Sequence, residues 1–119
     1  MPFSQSQQPL YEVKAGLFKG LSHPIRVRIL EVLADGAEHS VAELQRDTEL
    51  EASHLSQHLA VLRRQRLVLS ERRASHVYYR VAWPEVTDLL RAARALLVEI
   101  VTTDGLRADG IGTLPELHR

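Results

Sequence analysis

The fold of this chain is decided by residues 52–81, which read ASHLSQHLAVLRRQRLVLSERRASHVYYRV. In the first half of this stretch, Leu55, Leu59 and Leu62 recur at helical spacing, which predicts a helix with one apolar side. In the second half, residues 67–72 and 76–81 have strand character and are separated by a short turn. This pattern predicts a β-hairpin directly after the helix.

Three further helices are predicted before this stretch. The first covers residues 10–21, where apolar residues recur at steps that suit a helix. The second begins at Ser22-His23-Pro24 and ends at Asp35-Gly36, because proline suits the first helical turn and glycine suits the residue after the last. The third begins at Ser40, which forms a capping-box pattern with Glu43, and extends to about Thr48.

The last predicted helix extends from Trp83-Pro84 to about Thr103 and carries an apolar seam that repeats every 3.5 residues. Such a seam packs along another helix, either within the same chain or in a second copy. Because the chain has other helices for its own core, we favour a homodimer built on the first and last helices. The expected interface residues are Leu10, Val13, Leu17, Val86, Leu90, Ala93, Leu97 and Ile100.

The domain organisation is simple, since 119 residues suit a single domain. Residues 1–9 are rich in serine, glutamine and proline and are expected to form a flexible arm. Residues 104–119 contain three glycines and a proline and are expected to form a flexible tail. The domain between them is mainly α with a small β-hairpin, in the order α-α-α-α-β-β-α. This order predicts a winged helix-turn-helix.

The charge of the chain is unevenly distributed. Overall, 15 Lys and Arg balance 15 Asp and Glu. Residues 52–81, however, contain six arginines against one acidic residue, Glu71, and therefore carry a net charge of +5. A locally basic surface can bind a polyanion even on a neutral protein. A solvated cationic surface without a partner would give the same pattern.

The fourth helix and the hairpin contain the candidate DNA-binding residues. Small polar side chains on the exposed side of the helix suit the edges of bases in a major groove. The arginines after this helix and at the hairpin tip suit phosphates or the minor groove. The candidates are Ser53, His54, Ser56, Gln57, His58, Arg63, Arg64, Arg72, Arg73 and His76.

Several segments resemble the ArsR/SmtB-type bacterial repressors over about residues 10–102. Residues 17–30, LFKGLSHPIRVRIL, resemble a signature of that family, and residues 53–63, SHLSQHLAVLR, resemble its recognition helix. Shorter matches lie in the third helix and the hairpin, at residues 41–44, 67–68 and 77–81. The resemblance implies a homodimeric transcriptional repressor on double-stranded DNA, with an inverted-repeat operator. A signal that the sequence does not identify would release it.

The chain departs from that family at its metal sites. Where many members have a Cys-x-Cys pair, this chain has Ser40 and Ala42, and it contains no cysteine. Other members place His ligands on the last helix, which here contains no histidine. His54 and His58 have the spacing of a zinc-binding pair, but the register turns His54 towards DNA and gives His58 a structural place. We therefore expect neither a metal nor a cofactor.

Other classes of function are disfavoured. The sequence has no nucleophilic cysteine, phosphate-binding glycine loop or serine-hydrolase motif, so it is not expected to be an enzyme. It has no secretory signal and no apolar run that could cross a membrane, so we expect a cytoplasmic protein. The alternative to DNA binding is a winged-helix module that binds another protein instead.

Overall fold

A computed structural model describes residues 8–103 of the chain. It contains five α-helices and one antiparallel sheet of three strands. The predicted arm, apart from Gln8 and Pro9, and the predicted tail lie outside the described residues. In chain order the elements are α1 (Leu10–Leu21), α2 (Pro24–Val32), β1 (His39–Ser40), α3 (Val41–Thr48), α4 (Ala52–Arg64), β2 (Val68–Arg73), β3 (His76–Val81) and α5 (Pro84–Thr103).

Local capping explains where α2 and α3 begin. His23 caps α2, because its Nδ1 accepts a hydrogen bond from the Ile25 amide at 3.1 Å. At the start of α3, Ser40 Oγ accepts a hydrogen bond from the Glu43 amide at 3.0 Å, and the Glu43 carboxylate accepts one from the Ser40 amide at 2.9 Å. The capping box predicted from the sequence is therefore confirmed, and His23 has a structural role.

The sheet has one strand more than the predicted hairpin. The short β1 strand pairs with β3, His39 opposite Tyr79 and Ser40 opposite Tyr78, so that the strand order is β1-β3-β2. A strand of two residues shows no periodicity, and its pairing depends on residues far along the chain. The third strand ties the hairpin to the start of α3.

The core lies between α2, α3, α4, the sheet and the start of α5. It contains the apolar side of α4, as the sequence predicts. The helix α5 is joined to this core by a hydrogen bond from Thr87 Oγ1 to the Ala34 carbonyl at 3.2 Å. The fully buried large side chains are those of Ile29, Leu30, Leu33, Leu44, Leu55, Leu59, Leu62 and Val68.

Val86 also lies in this core, where only 6% of its surface is exposed. The sequence placed Val86 in the dimer interface, and that assignment is wrong. The first turn of α5 packs against the chain's own core, so its seam residue is used within the monomer. Of the helices in residues 8–103, none is long and apolar enough to span a membrane.

The start of α4 provides a test of local stability. Its N-cap residue, Glu51, makes no side-chain hydrogen bond to the helix, as the sequence predicts for a weak cap. We expect Glu51→Asp to raise the free energy of unfolding by about 1 kcal/mol, because aspartate is a preferred N-cap. Glu51→Ala should change it by less than about 1 kcal/mol, since only the helix-dipole interaction is lost. Urea denaturation measures both, and an unchanged midpoint in Glu51→Asp would contradict the capping argument.

Candidate nucleic-acid interface

The helix α4 presents a compact polar surface to solvent. Leu55, Leu59 and Leu62 are buried on one side of the helix and fix its rotation about its axis. The opposite side exposes two hydroxyls, one imidazole and one carboxamide, all short enough to follow the edges of bases in a groove. These exposed residues are Ser53, His54, Ser56 and Gln57.

His58 is placed differently from these four. It is half-buried, and its ring packs against the ring of His23 with 4.5 Å between the centroids. Burial lowers the pKa of His58 below its ordinary value, and the neighbouring His23, Arg26 and His54 lower it further. The structure thus gives His58 a contact between α4 and the start of α2, whereas the sequence had grouped it with the DNA-binding residues.

The lowered pKa of His58 predicts how stability depends on pH. The unfolded chain takes up a proton at the ordinary histidine pKa of about 6.5, and the folded chain does so only at lower pH. The free energy of unfolding should therefore decrease as the pH falls below about 6.5. In His58→Gln this decrease should be smaller. Urea midpoints at pH 7.5 and 5.0 for both proteins measure it, and identical pH dependence would contradict the assignment.

Arginines surround the C-terminal end of α4. Arg63 and Arg64 are exposed, and Arg63 Nη1 lies 3.4 Å from the Ser70 hydroxyl on β2. The next turn is held by Arg66, which has a φ of 62° and whose carbonyl accepts a hydrogen bond from the Trp83 indole at 3.0 Å. These contacts join the end of α4 to the sheet and to the start of α5.

The two arginines near the hairpin tip lie on opposite faces of the sheet. Arg72 is paired with Val77, and side chains alternate along a strand, so Arg72 shares its face with Ser70 and Tyr79. That face is turned towards α4, since Ser70 contacts Arg63. Arg73 is paired with His76 on the other face. All of Arg72, Arg73 and His76 are exposed, but only Arg72 lies on the α4 side.

Arg73 is held by several partners. Its guanidinium donates two hydrogen bonds to the Glu38 carboxylate, at 2.7 and 3.1 Å, and lies 4.1 Å from the centroid of the Tyr78 ring. The Glu71 carboxylate is 3.4 Å away. The hydrogen bond from Arg73 lowers the pKa of Glu38 and raises that of Arg73. No sequence motif joins Glu38 to Arg73, so sequence analysis missed this pair.

The Glu38–Arg73 pair leads to a prediction for DNA affinity. A phosphate that binds Arg73 has to compete with the Glu38 carboxylate. We expect Glu38→Gln to strengthen binding to any DNA sequence by about two- to fivefold, the range of an exposed ion pair. In an Arg73→Ala background the same substitution should have little effect. Fluorescence anisotropy with random duplex DNA measures this cycle, and an equal gain in both backgrounds would show that Glu38 acts only through its charge.

Exposed apolar side chains are concentrated on α1 and α5. Within α1 only Gly20 is buried, while Leu17 and Leu90 of α5 are half-buried against the core. Val13 is half-buried, and Leu10, Ala93, Leu97 and Ile100 are exposed, as an interface requires. Three further exposed apolar residues on these helices were not among the predicted interface residues, namely Tyr11, Phe18 and Leu96.

The described residues were also searched for a metal site. Between residues 8 and 103, no three His, Cys, Asp or Glu side chains come close enough together to hold a metal ion. His54 and His58, the pair with zinc-binding spacing, differ in their surroundings. His54 is exposed, while His58 packs against His23.

Comparison with known proteins gives consistent matches. The profile of the family described as "Bacterial regulatory protein, arsR family" matches residues 23–70. A Mycobacterium tuberculosis protein, the uncharacterized HTH-type transcriptional regulator Rv0081, is 42% identical over 112 residues, covering 89% of this chain and 97% of that protein. Its crystal structure superimposes with a TM-score of 0.74 over 82% of this chain and 98% of the other.

Two further structures are similar. HlyU from Vibrio cholerae has a TM-score of 0.66 at 38% identity and covers 75% of this chain and 97% of that chain. The transcriptional repressor BigR from Xylella fastidiosa has a TM-score of 0.65 at 32% identity and covers 70% of this chain and 84% of that chain. These neighbours confirm the winged helix-turn-helix predicted from the sequence.

Proposed function

This chain belongs to the ArsR family of bacterial regulatory proteins and is a DNA-binding transcriptional regulator, and we propose that it is a homodimeric repressor of an inverted-repeat operator. A signal that lowers its affinity for DNA releases the operator. The relatives carry names of both kinds, since the Vibrio cholerae protein is named a transcriptional activator and the Xylella fastidiosa protein a repressor. We assign repression on the resemblance of the family signature and recognition helix.

The observation that carries the proposal is the combination of α4 with the hairpin. The exposed polar side of α4 suits base edges, and Arg72 projects from the sheet face on the same side as α4. Arg63 and Arg64 extend the positive charge to the end of the helix. Base contacts from a helix with phosphate contacts from a wing are the arrangement by which this type of domain reads DNA.

Dimerisation follows from the exposed apolar surface of α1 and α5. Monomeric soluble proteins rarely leave several large apolar side chains exposed on neighbouring elements. A two-fold dimer would cover them and place two copies of α4 side by side. The two recognition helices would then enter major grooves about one helical turn, or a whole number of turns, apart.

Several narrower assignments accompany this proposal. The protein is not an enzyme, acts in the cytoplasm where DNA is accessible, and needs no cofactor. Its signal is not a transition metal at the family's usual sites, because the thiols and the last-helix histidines of those sites are missing. The alternative of a protein-binding winged helix has no observation in its favour, since the relatives carry the names of transcriptional regulators.

Selection from a pool of randomised duplexes tests the proposal. The full-length protein should enrich an inverted repeat, and transcription from a promoter that overlaps this repeat should fall as protein is added. Enrichment of a single half-site would contradict the dimer, and increased transcription would contradict repression. No enrichment at all, together with no binding to random duplex at low salt, would support the protein-binding alternative.

A further inference from the structure

An apolar cavity lies between α1 and the start of α5. Its volume is about 360 Å³, which lies within the range of small-molecule sites in proteins. Leu17 and Leu21 of α1 line one side, and Trp83, Leu89 and Leu90 line another. Among its lining residues, only Gln65, Arg66 and Glu85 have polar side chains.

Gln65 has an unusual place in the wall of this cavity. Its carboxamide oxygen Oε1 is buried and has no hydrogen-bond partner among the described residues. A buried acceptor without a partner costs about 1–3 kcal/mol, so native proteins rarely retain one without a reason. The chain makes room for this group with Gly20, because a Cβ at that position would overlap the Gln65 carboxamide.

We propose that this cavity binds a small, mainly apolar organic molecule that has one hydroxyl or N–H group. The apolar part would occupy the space between the leucines and Trp83, and the polar hydrogen would be donated to Gln65 Oε1. An apolar side chain from a second copy of the protein would fill the same space but leave this oxygen without a donor. The unpartnered oxygen thus favours a ligand over the dimer partner.

The position of Gln65 also indicates how such a ligand would act. Gln65 is the C-cap residue of α4, and the next carbonyl, that of Arg66, accepts the hydrogen bond from Trp83. A molecule between Gln65 and Trp83 therefore touches both the end of the recognition helix and the start of α5. That the ligand is the releasing signal rests on the proposed function. Ligand binding itself does not depend on it.

A matched pair of probes tests the site without DNA. 4-Ethylphenol and ethylbenzene share a ring and an ethyl group, but only 4-ethylphenol has a hydroxyl donor. Calorimetry on the full-length protein measures both affinities, and the emission of Trp83, the single tryptophan, reports occupancy. In Gln65→Leu the ratio of the two association constants, phenol over ethylbenzene, should fall by about tenfold or more. Leu89→Trp fills the cavity and should block both probes.

Three results would overturn the proposal. The ratio might stay the same in a folded Gln65→Leu protein, so that Gln65 is not the acceptor. Binding that persists in Leu89→Trp would place the probes elsewhere. Failure of both probes to bind the unaltered protein, with Leu89→Trp shifting the dimer to monomer in light scattering, would assign the cavity to the second copy. Each of these results would leave DNA binding by the unaltered protein intact, so they are distinguishable from failure of the proposed function.

Discussion

Replacing two seam residues of α5 with lysine, Leu97→Lys with Ile100→Lys, should convert the dimer to a monomer and weaken operator binding by at least about 100-fold. Both side chains are exposed on the described chain, with 48% and 41% of their surfaces accessible. A charge on each would have to be buried unpaired in a dimer interface. A monomer then binds only one half-site and loses the effective concentration that the second recognition helix provides.

The control is a pair of lysines on the opposite side of the same helix. Ala95 and Thr102 are exposed and lie away from the seam, so Ala95→Lys with Thr102→Lys adds the same charge without touching the interface. Light scattering and operator titration measure both double variants. A seam variant that remains a dimer with unchanged operator affinity would contradict the interface, whatever the control does.

Gln57→Ala should weaken operator binding by roughly 1–3 kcal/mol and change binding to random DNA little. Gln57 lies on the exposed side of α4, where a glutamine can pair with an adenine through two hydrogen bonds. Losing such a pair removes a contact that exists only with the right base. The ratio of operator affinity to random-DNA affinity, and hence the specificity, should fall by the same factor.

Arg72→Ala is the matched variant for a contact that reads no sequence. Its side chain is exposed on the α4 side of the hairpin, where it can reach a phosphate. We expect binding to operator and random DNA to weaken by similar factors. The slope of log affinity against log salt should also fall by about one. The two assignments are wrong if Gln57→Ala weakens both DNAs equally while Arg72→Ala affects only the operator.

The sequence predicted the helices closely because their signals are local. The proline after His23, the Ser40–Glu43 capping box and the buried leucines of α4 each act within a few residues. The strand β1 was missed because two residues carry no period, and because its partners, Tyr78 and Tyr79, lie far along the chain. Local patterns therefore specify the elements, whereas pairing between distant segments requires the folded structure.

The candidate site was predicted less completely, for the same reason. Sequence spacing identified the exposed polar side of α4, but it grouped Arg72 with Arg73. The hairpin register separates them, and Glu38 holds Arg73 from a loop that no motif marks. Similarly, an apolar seam does not show which turns of α5 the chain needs for its own core, so Val86 was assigned to the wrong surface.

Residues in a left-handed conformation were also hidden from the sequence. Glu49, Arg66 and Ala74 have φ values of 59°, 62° and 56°, although glycine is the residue that usually adopts such angles. Arg66 forms the end of α4, and Ala74 lies in the turn at the tip of the hairpin. These turns border the proposed DNA-binding surface, and their geometry is imposed by the packing of the segments on either side.

The central claim is that α4 and the hairpin of a dimer bind DNA with sequence specificity. Titration of the unaltered protein against its selected operator and a random duplex, at several salt concentrations, tests it most directly. The account predicts that log affinity falls linearly with log salt for both DNAs, and that the operator binds at least about 1,000-fold more tightly at physiological salt. Absence of binding to either DNA at low salt, or equal affinity for both at every salt concentration, would contradict it.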